Sequence, residues 1–217
     1  MIDGINNILA PFPIIPVIVL NDVEHAVPFV PLVHTLVEGG IKIIEITLRT
    51  PIALAAIKAI KKNLPKCIVG AGTIVKPSQL SKIKEANADF SVSPSISNEL
   101  IRAGQKEDIS YLASVATPSD LLLAIQDNFS FVKFFPAALN GGAKALRNFM
   151  SIFRIMRFCP TGGINLNNIM EYFSLKNVVC IGGSWLTPQN LIEGQQWKAI
   201  SELADKAIKE IKNKEKK

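Results

Sequence analysis

The sequence predicts an α/β fold, a single (β/α)8 barrel of the TIM type, with residues 1–217 forming one domain. Eight short β-like runs recur, at 14–20, 41–48, 68–72, 89–93, 110–114, 131–135, 157–160 and 178–182. Segments of helical periodicity separate them, and successive runs start about 21 to 27 residues apart. Strand and helix alternating at that spacing match the units of a closed parallel barrel, with an open doubly wound sheet as the alternative arrangement.

The helices carry their own punctuation. Val23, Val27, Val30, Val33 and Val37 recur on one face before the second run, and Ile52, Ala55, Ala56, Ala59 and Ile60 do so after it. Asn21 with Glu24 gives a start resembling a capping box, Gly39-Gly40 an end, and Pro51 and Pro77 suit first turns. Pro28 and Pro31 oppose the first helix. Each lacks a backbone donor, so this helix is expected to start late, kink or be interrupted. After the run at 131–135, Asn140-Gly141-Gly142 precedes a short helical segment at 143–149. Residues 197–211 read as a closing amphipathic helix, with Ile200, Leu203, Ala204, Ala207 and Ile211 on one core-facing stripe.

Composition narrows the function classes. A chain of 217 residues with 48% hydrophobic and 19% charged residues can bury a large core and is far from disordered composition. No apolar run approaches the roughly 18 to 20 residues of a membrane helix, and the N-terminus lacks a signal peptide's basic region and cleavage site. Cys67, Cys159 and Cys180 are widely spaced beside strand-like residues, with no C-x-x-C pair. They read as buried reduced thiols of a cytoplasmic protein, and His25 and His34 share one helical stretch, so no metal site is expected. The net charge of +6 favours anionic ligands, but half of it sits in the last twenty residues, where seven lysines face four acids. Such a tail is a solvated helix end, and no interleaving of basic and aromatic residues points to nucleic acid.

Lys133 is the residue that demands a chemical reason. It stands in Phe131-Val132-Lys133-Phe134-Phe135-Pro136, where a strand puts Phe131, Lys133 and Phe135 on one face and Val132 and Phe134 on the other. Lysine is rarely buried whole, because stripping water from an ammonium is expensive. A desolvated amine sheds its proton more readily and becomes a nucleophile toward carbonyl carbon. The plain alternative is an edge strand whose lysine reaches solvent and guards against pairing.

In a parallel barrel, functional groups gather where strands end. The second run places Glu45, Thr47 and Arg49 on the face of Ile43. Either the acid and base brace the barrel internally, or they meet Lys133, since even-numbered strands two and six lie opposite one another. Gly70-Ala71-Gly72-Thr73 and Ser91-Val92-Ser93-Pro94 end the third and fourth runs. There glycine allows close approach and a threonine hydroxyl offers one directed hydrogen bond. Thr161-Gly162-Gly163 and Gly182-Gly183-Ser184 end the seventh and eighth, where barrels commonly hold phosphate on backbone N–H groups; turn glycines without a ligand are the alternative.

The stretches VPLVHTLVEGGIKIIEITLRT, IVGAGTI, VKFFPA, NGGAKAL, RFCPTGGI and CIGGSWL resemble the bacterial 2-keto-3-deoxy-6-phosphogluconate (KDPG) and 4-hydroxy-2-oxoglutarate (KHG) aldolase family, in order and over nearly the whole chain. The resemblance implies a class I aldolase on a (β/α)8 barrel, a homotrimer with no metal and no cofactor, performing an Entner–Doudoroff type cleavage. It implies Lys133 as the Schiff-base lysine and Glu45 as the acid/base. Arg49 and Thr73 would hold the pyruvate carboxylate, with Thr161 beside it and Pro94 and Phe135 as walls. Gly162, Gly163, Gly183 and Ser184 would cradle phosphate. Three places depart from the family pattern. Pro94-Ser95 and Ala113-Ser114 stand where it has Pro-Gly, and Pro136-Ala137-Ala138 where it has Pro-Ala-Glu. All lie on the loop side, where the aldehyde half of a substrate would sit.

Overall fold

Branched and aromatic residues in short runs build the strands β1 (Ile14–Ile18), β2 (Ile43–Thr47), β3 (Ile68–Gly72), β4 (Phe90–Val92), β5 (Ser110–Leu112), β6 (Ser114–Val115), β7 (Phe131–Phe134), β8 (Arg157–Pro160) and β9 (Ile181–Gly183). The structure, a computed structural model, describes residues 2–20, 29–38 and 40–215. Every strand pairing is parallel, in a six-stranded sheet ordered β5-β4-β3-β2-β1-β9 and a three-stranded sheet ordered β6-β7-β8. Two isolated parallel bridges, Phe158↔Val178 and Thr161↔Gly182, connect the smaller sheet to the segment of β9.

Helices fill the intervals: α1 (Ile2–Leu9), α2 (Phe29–Glu38), α3 (Ala53–Asn63), α4 (Ser78–Glu85), α5 (Asn98–Glu107), α6 (Pro118–Gln126), α7 (Gly142–Ile152), α8 (Ile169–Phe173), α9 (Gln189–Glu193) and α10 (Trp197–Glu215). A 3-10 turn at Ala138–Asn140 precedes α7. Ser97 caps α5 through the Leu100 N–H, and Thr117 with Asp120 forms a capping box on α6.

The sequence expectations hold unevenly. The run at 110–114 is two strands rather than one: at Ala113 the chain leaves the β4 ladder, and the Ala113 carbonyl accepts the Lys133 N–H at 2.9 Å. Local propensity is the same on both sides of that break, so the choice of partner is tertiary. The last strand is shifted, since Val178 makes only the bridge to Phe158 and the ladder begins at Ile181. Helix α1 was not anticipated. The capping pair Asn21 and Glu24, Pro28 and Gly39 lie outside the described residues. Pro31 is the third residue of the described α2. The closing helix buries Ile200, Ala204, Ala207 and Ile211 of the expected stripe, while Leu203 is only half-buried.

Two apolar clusters divide the interior. The larger lies between strands and helices. The smaller gathers Ile15, Ile43, Phe90, Leu112, Phe131 and Cys159 from strands of both sheets, so the sheets curl around a common centre. Ile5 and Leu9 of α1 pack into this inner cluster, one helical turn apart. Gly70 stands opposite Phe90 in the β3–β4 register, and a Cβ there would lie 2.2 Å from the ring. Gly70→Ala should therefore overpack the centre and destabilise the fold by about 1–3 kcal/mol, read as a lower denaturation midpoint.

Candidate active site

The period of β7 turns Phe131 into the inner cluster and raises Lys133 one layer above it. Because β7 is the middle strand of its sheet, Lys133 is not an edge residue. It is 5% exposed, and its Nζ lies 3.1 Å from Glu45 Oε2 and 3.2 Å from Oε1. The Phe135 ring centroid is 5.4 Å from the same nitrogen, within cation–π range. Glu45, 4% exposed, comes from β2 in the other sheet, so the two meet across the centre. Its partner is thus Lys133; no ion pair with Arg49 occurs among the described residues.

A small cavity of about 50 Å³ opens on this pair. Arg49, Thr73, Pro94, Phe135 and Thr161 line it together with Glu45 and Lys133, so strand ends far apart in sequence converge there. Val17 and Ser93 also line it and were not singled out from sequence. Their signal was present, since Val17 shares a face with Ile15, and Ser93 adjoins Pro94. Thr73 holds φ at 63°, a left-handed conformation costly for a β-branched residue and of the kind concentrated at functional sites. Thr47 is buried beside the site but does not line the cavity; its hydroxyl donates to the Ile18 carbonyl at 3.2 Å.

Glycines shape the cavity by absence. A Cβ on Gly72 would lie 2.1 Å from Glu45 Oε1, and one on Gly182 would lie 2.3 Å from Thr161 Oγ1. The room at these strand ends is taken by site side chains. Gly162, Gly163, Gly183 and Ser184 do not line the cavity. Gly162 and Gly163 follow β8, Gly183 ends β9 and Ser184 follows it, the two strand ends being brought together by the Thr161↔Gly182 bridge, and Gly162 and Gly163 adopt φ of 100° and 74°. The departure at Ala138 touches this region: its N–H donates to the Gly162 carbonyl at 3.0 Å, and its Cβ occupies the space a side chain on Gly163 would need.

A family model for KDPG and KHG aldolase matches residues 5–203. The chain belongs to the KDPG and KHG aldolase family. Among curated members, the KHG/KDPG aldolase of Escherichia coli K12 is 43% identical over 206 residues, 95% of each chain. Among solved members, the KDPG aldolase of Legionella pneumophila, with pyruvate captured as a covalent carbinolamine, is 41% identical with a TM-score of 0.86. That match covers 90% of this chain and 94% of the other. The Zymomonas mobilis enzyme with 3-phosphoglycerate is 36% identical, also at 0.86, covering 95% and 96%.

The family's chemistry needs one nucleophile, and the cysteines do not compete for the role. Burial pushes the Cys67 thiol up to about 12 and Cys180 well above its ordinary value. Cys159, beside Lys133 in register, is held lower by its hydrogen bond with Cys180 and then by the Lys133 charge, but it is enclosed in the inner cluster and does not line the cavity.

Proposed function

We propose that this family member cleaves 2-keto-3-deoxy-6-phosphogluconate to pyruvate and glyceraldehyde 3-phosphate through a Schiff base on Lys133, and also 4-hydroxy-2-oxoglutarate to pyruvate and glyoxylate. The observation that carries the reading is the buried Lys133 amine held against both oxygens of Glu45, at the floor of a cavity with Arg49 at its rim.

The contact supplies the first step. A proton passes from the Lys133 ammonium to the Glu45 carboxylate, leaving a free amine and a carboxylic acid. The amine attacks the substrate's C2 carbonyl to form a carbinolamine. Glu45 returns its proton to the departing hydroxyl, which leaves as water, and the protonated imine becomes the electron sink. The carboxylate then takes the C4 hydroxyl proton, through water, as the C3–C4 bond breaks into aldehyde and enamine. Glu45 protonates the enamine at C3, and water addition releases pyruvate and the amine. Arg49, with its planar fork and no carboxylate of the described residues paired to it, suits the substrate carboxylate; Thr73 adds one directed hydrogen bond, with Thr161 beside them. Pro94 and Phe135 wall the pocket. The backbone at Gly162, Gly163 and Gly183, with Ser184, cradles the phosphate.

Residues 1–217 act as one domain, an eight-stranded (β/α)8 barrel in which β5 and β6 are a single interrupted strand. Support for closure comes from the two bridges between the β8 and β9 segments and from the Ala113–Lys133 hydrogen bond. The enzyme works without metal or cofactor as a cytoplasmic homotrimer. Its three buried free thiols suit a reducing compartment, and no described helix is long and apolar enough to cross a membrane. Leu139, Ile152 and Ile155 present exposed apolar surface of the kind subunits cover.

Borohydride reduction with pyruvate tests the chemistry. Intact mass and peptide mapping should find one reduced pyruvate on Lys133, while an unmodified chain would refute the reading. Comparing kcat/KM for the two substrates decides whether 4-hydroxy-2-oxoglutarate is instead the main one.

A further inference from the structure

The end of β4 is tied down by hydroxyl groups that the aldol chemistry does not use. Tyr111 of β5 is 7% exposed, its ring edge-on to Phe129 with centroids 6.1 Å apart. Its phenol lies 2.6 Å from Ser93 Oγ, and Ser93 Oγ donates to the Ser95 carbonyl at 2.6 Å. With the Ser93 proton committed to Ser95, the phenol is the donor to Ser93. A third tie comes from Ser114, whose hydroxyl donates to the Ser93 carbonyl and which stands opposite Lys133 in the β6–β7 register. Burial pushes Tyr111 up to about 12, so its phenol is a neutral donor near neutral pH. Ser95 and Ser114 both stand where the family pattern has glycine; Ser95 contributes only its carbonyl, so the tie that pattern lacks is the one from the Ser114 hydroxyl.

What these ties hold is a wall of the pocket. Ser93 and Pro94 line the cavity beside Lys133, whereas Tyr111 does not. A substrate carrying phosphate has a second anchor at the turns after β8 and β9 and is aligned from that end. An unphosphorylated substrate has no such anchor, so its orientation over the imine depends on the rigidity of the near wall. We propose that Tyr111 is a positioning residue that acts through Ser93 to fix the Pro94 wall and thereby supports turnover of the unphosphorylated substrate. The inference rests on the functional reading above.

The test compares wild type, Tyr111→Phe, Ser93→Ala, the double variant and Ser114→Gly on both substrates, with pyruvate trapping and thermal midpoint as controls. Tyr111→Phe should raise KM for 4-hydroxy-2-oxoglutarate by about five- to tenfold, the scale of one buried neutral hydrogen bond. For the phosphorylated substrate the change should stay below about threefold, and the trapping rate with pyruvate should not change. Because Tyr111 acts through Ser93, adding Tyr111→Phe to Ser93→Ala should cost almost nothing more. Ser114→Gly should shift the substrate ratio in the same direction. Equal losses on both substrates, no loss, or additive effects of Tyr111→Phe and Ser93→Ala would each overturn the inference while trapping persists. Failure of the wild type to be trapped would instead overturn the functional reading, and the inference with it.

Discussion

Lys133→Met is expected to lower kcat by about 10⁴- to 10⁶-fold, the scale on which loss of a covalent nucleophile is felt, and to abolish trapping with pyruvate. The same change should destabilise the fold. Glu45 is buried at 4% exposure with Lys133 as its cation, and breaking a buried pair by removing one partner costs about 3–5 kcal/mol. Adding Glu45→Leu should reverse that loss, since replacing both charges with apolar groups of similar size is often neutral or stabilising. Urea midpoints should therefore rank Lys133→Met lowest and the double variant level with or above wild type, with both variants inactive. A pair that served as an internal brace would give the opposite result, the double variant staying as weak as the single one. Wild-type turnover in Lys133→Met would remove Lys133 from the mechanism.

The faces of β7 and β2 were legible because a strand's period of two leaves no choice once its residues are fixed. Placing Lys133 with Phe131 and Phe135, and Glu45 with Ile43, needed only alternation. Their meeting needed the further idea that the second and sixth runs, now β2 and β7, would face one another as they do in a barrel. The rest was lost where one local pattern serves two tertiary outcomes. The run at 110–114 has strand composition throughout, and nothing in it says that β5 will join β4 while β6 joins β7. Helix α1 is eight residues long, and its periodic Ile5 and Leu9 acquire meaning only against the inner cluster. Ser93 and Tyr111 are unremarkable hydroxyl residues until they are seen 2.6 Å apart. In sequence the glycine motifs signal close approach, of a ligand or of other parts of the chain. At Gly72 and Gly182 the space belongs to Glu45 and Thr161, a packing fact that no motif encodes.

Gly72→Ala follows from that packing and is expected to harm activity far more than stability. The new methyl carbon would sit 2.1 Å from Glu45 Oε1 and 2.8 Å from Cγ and Cδ. The backbone of Gly72 is not in the left-handed region, so alanine adds no conformational strain. Relief comes from moving the end of a flexible side chain, at a cost within the roughly 1–3 kcal/mol of an overpacked site. That end, however, is the carboxylate gripping Lys133, and a proton relay misplaced by about 1 Å loses much of its effect. The expected result is a folded protein with kcat reduced by about 10²- to 10⁴-fold, the range ascribed to one general acid/base. The lysine remains, so slow trapping by pyruvate and borohydride should persist at Lys133, separating this variant from Lys133→Met. Activity within twofold or so of wild type would mean that Glu45 acts from another position, and the proton relay drawn through its present contact would have to be abandoned.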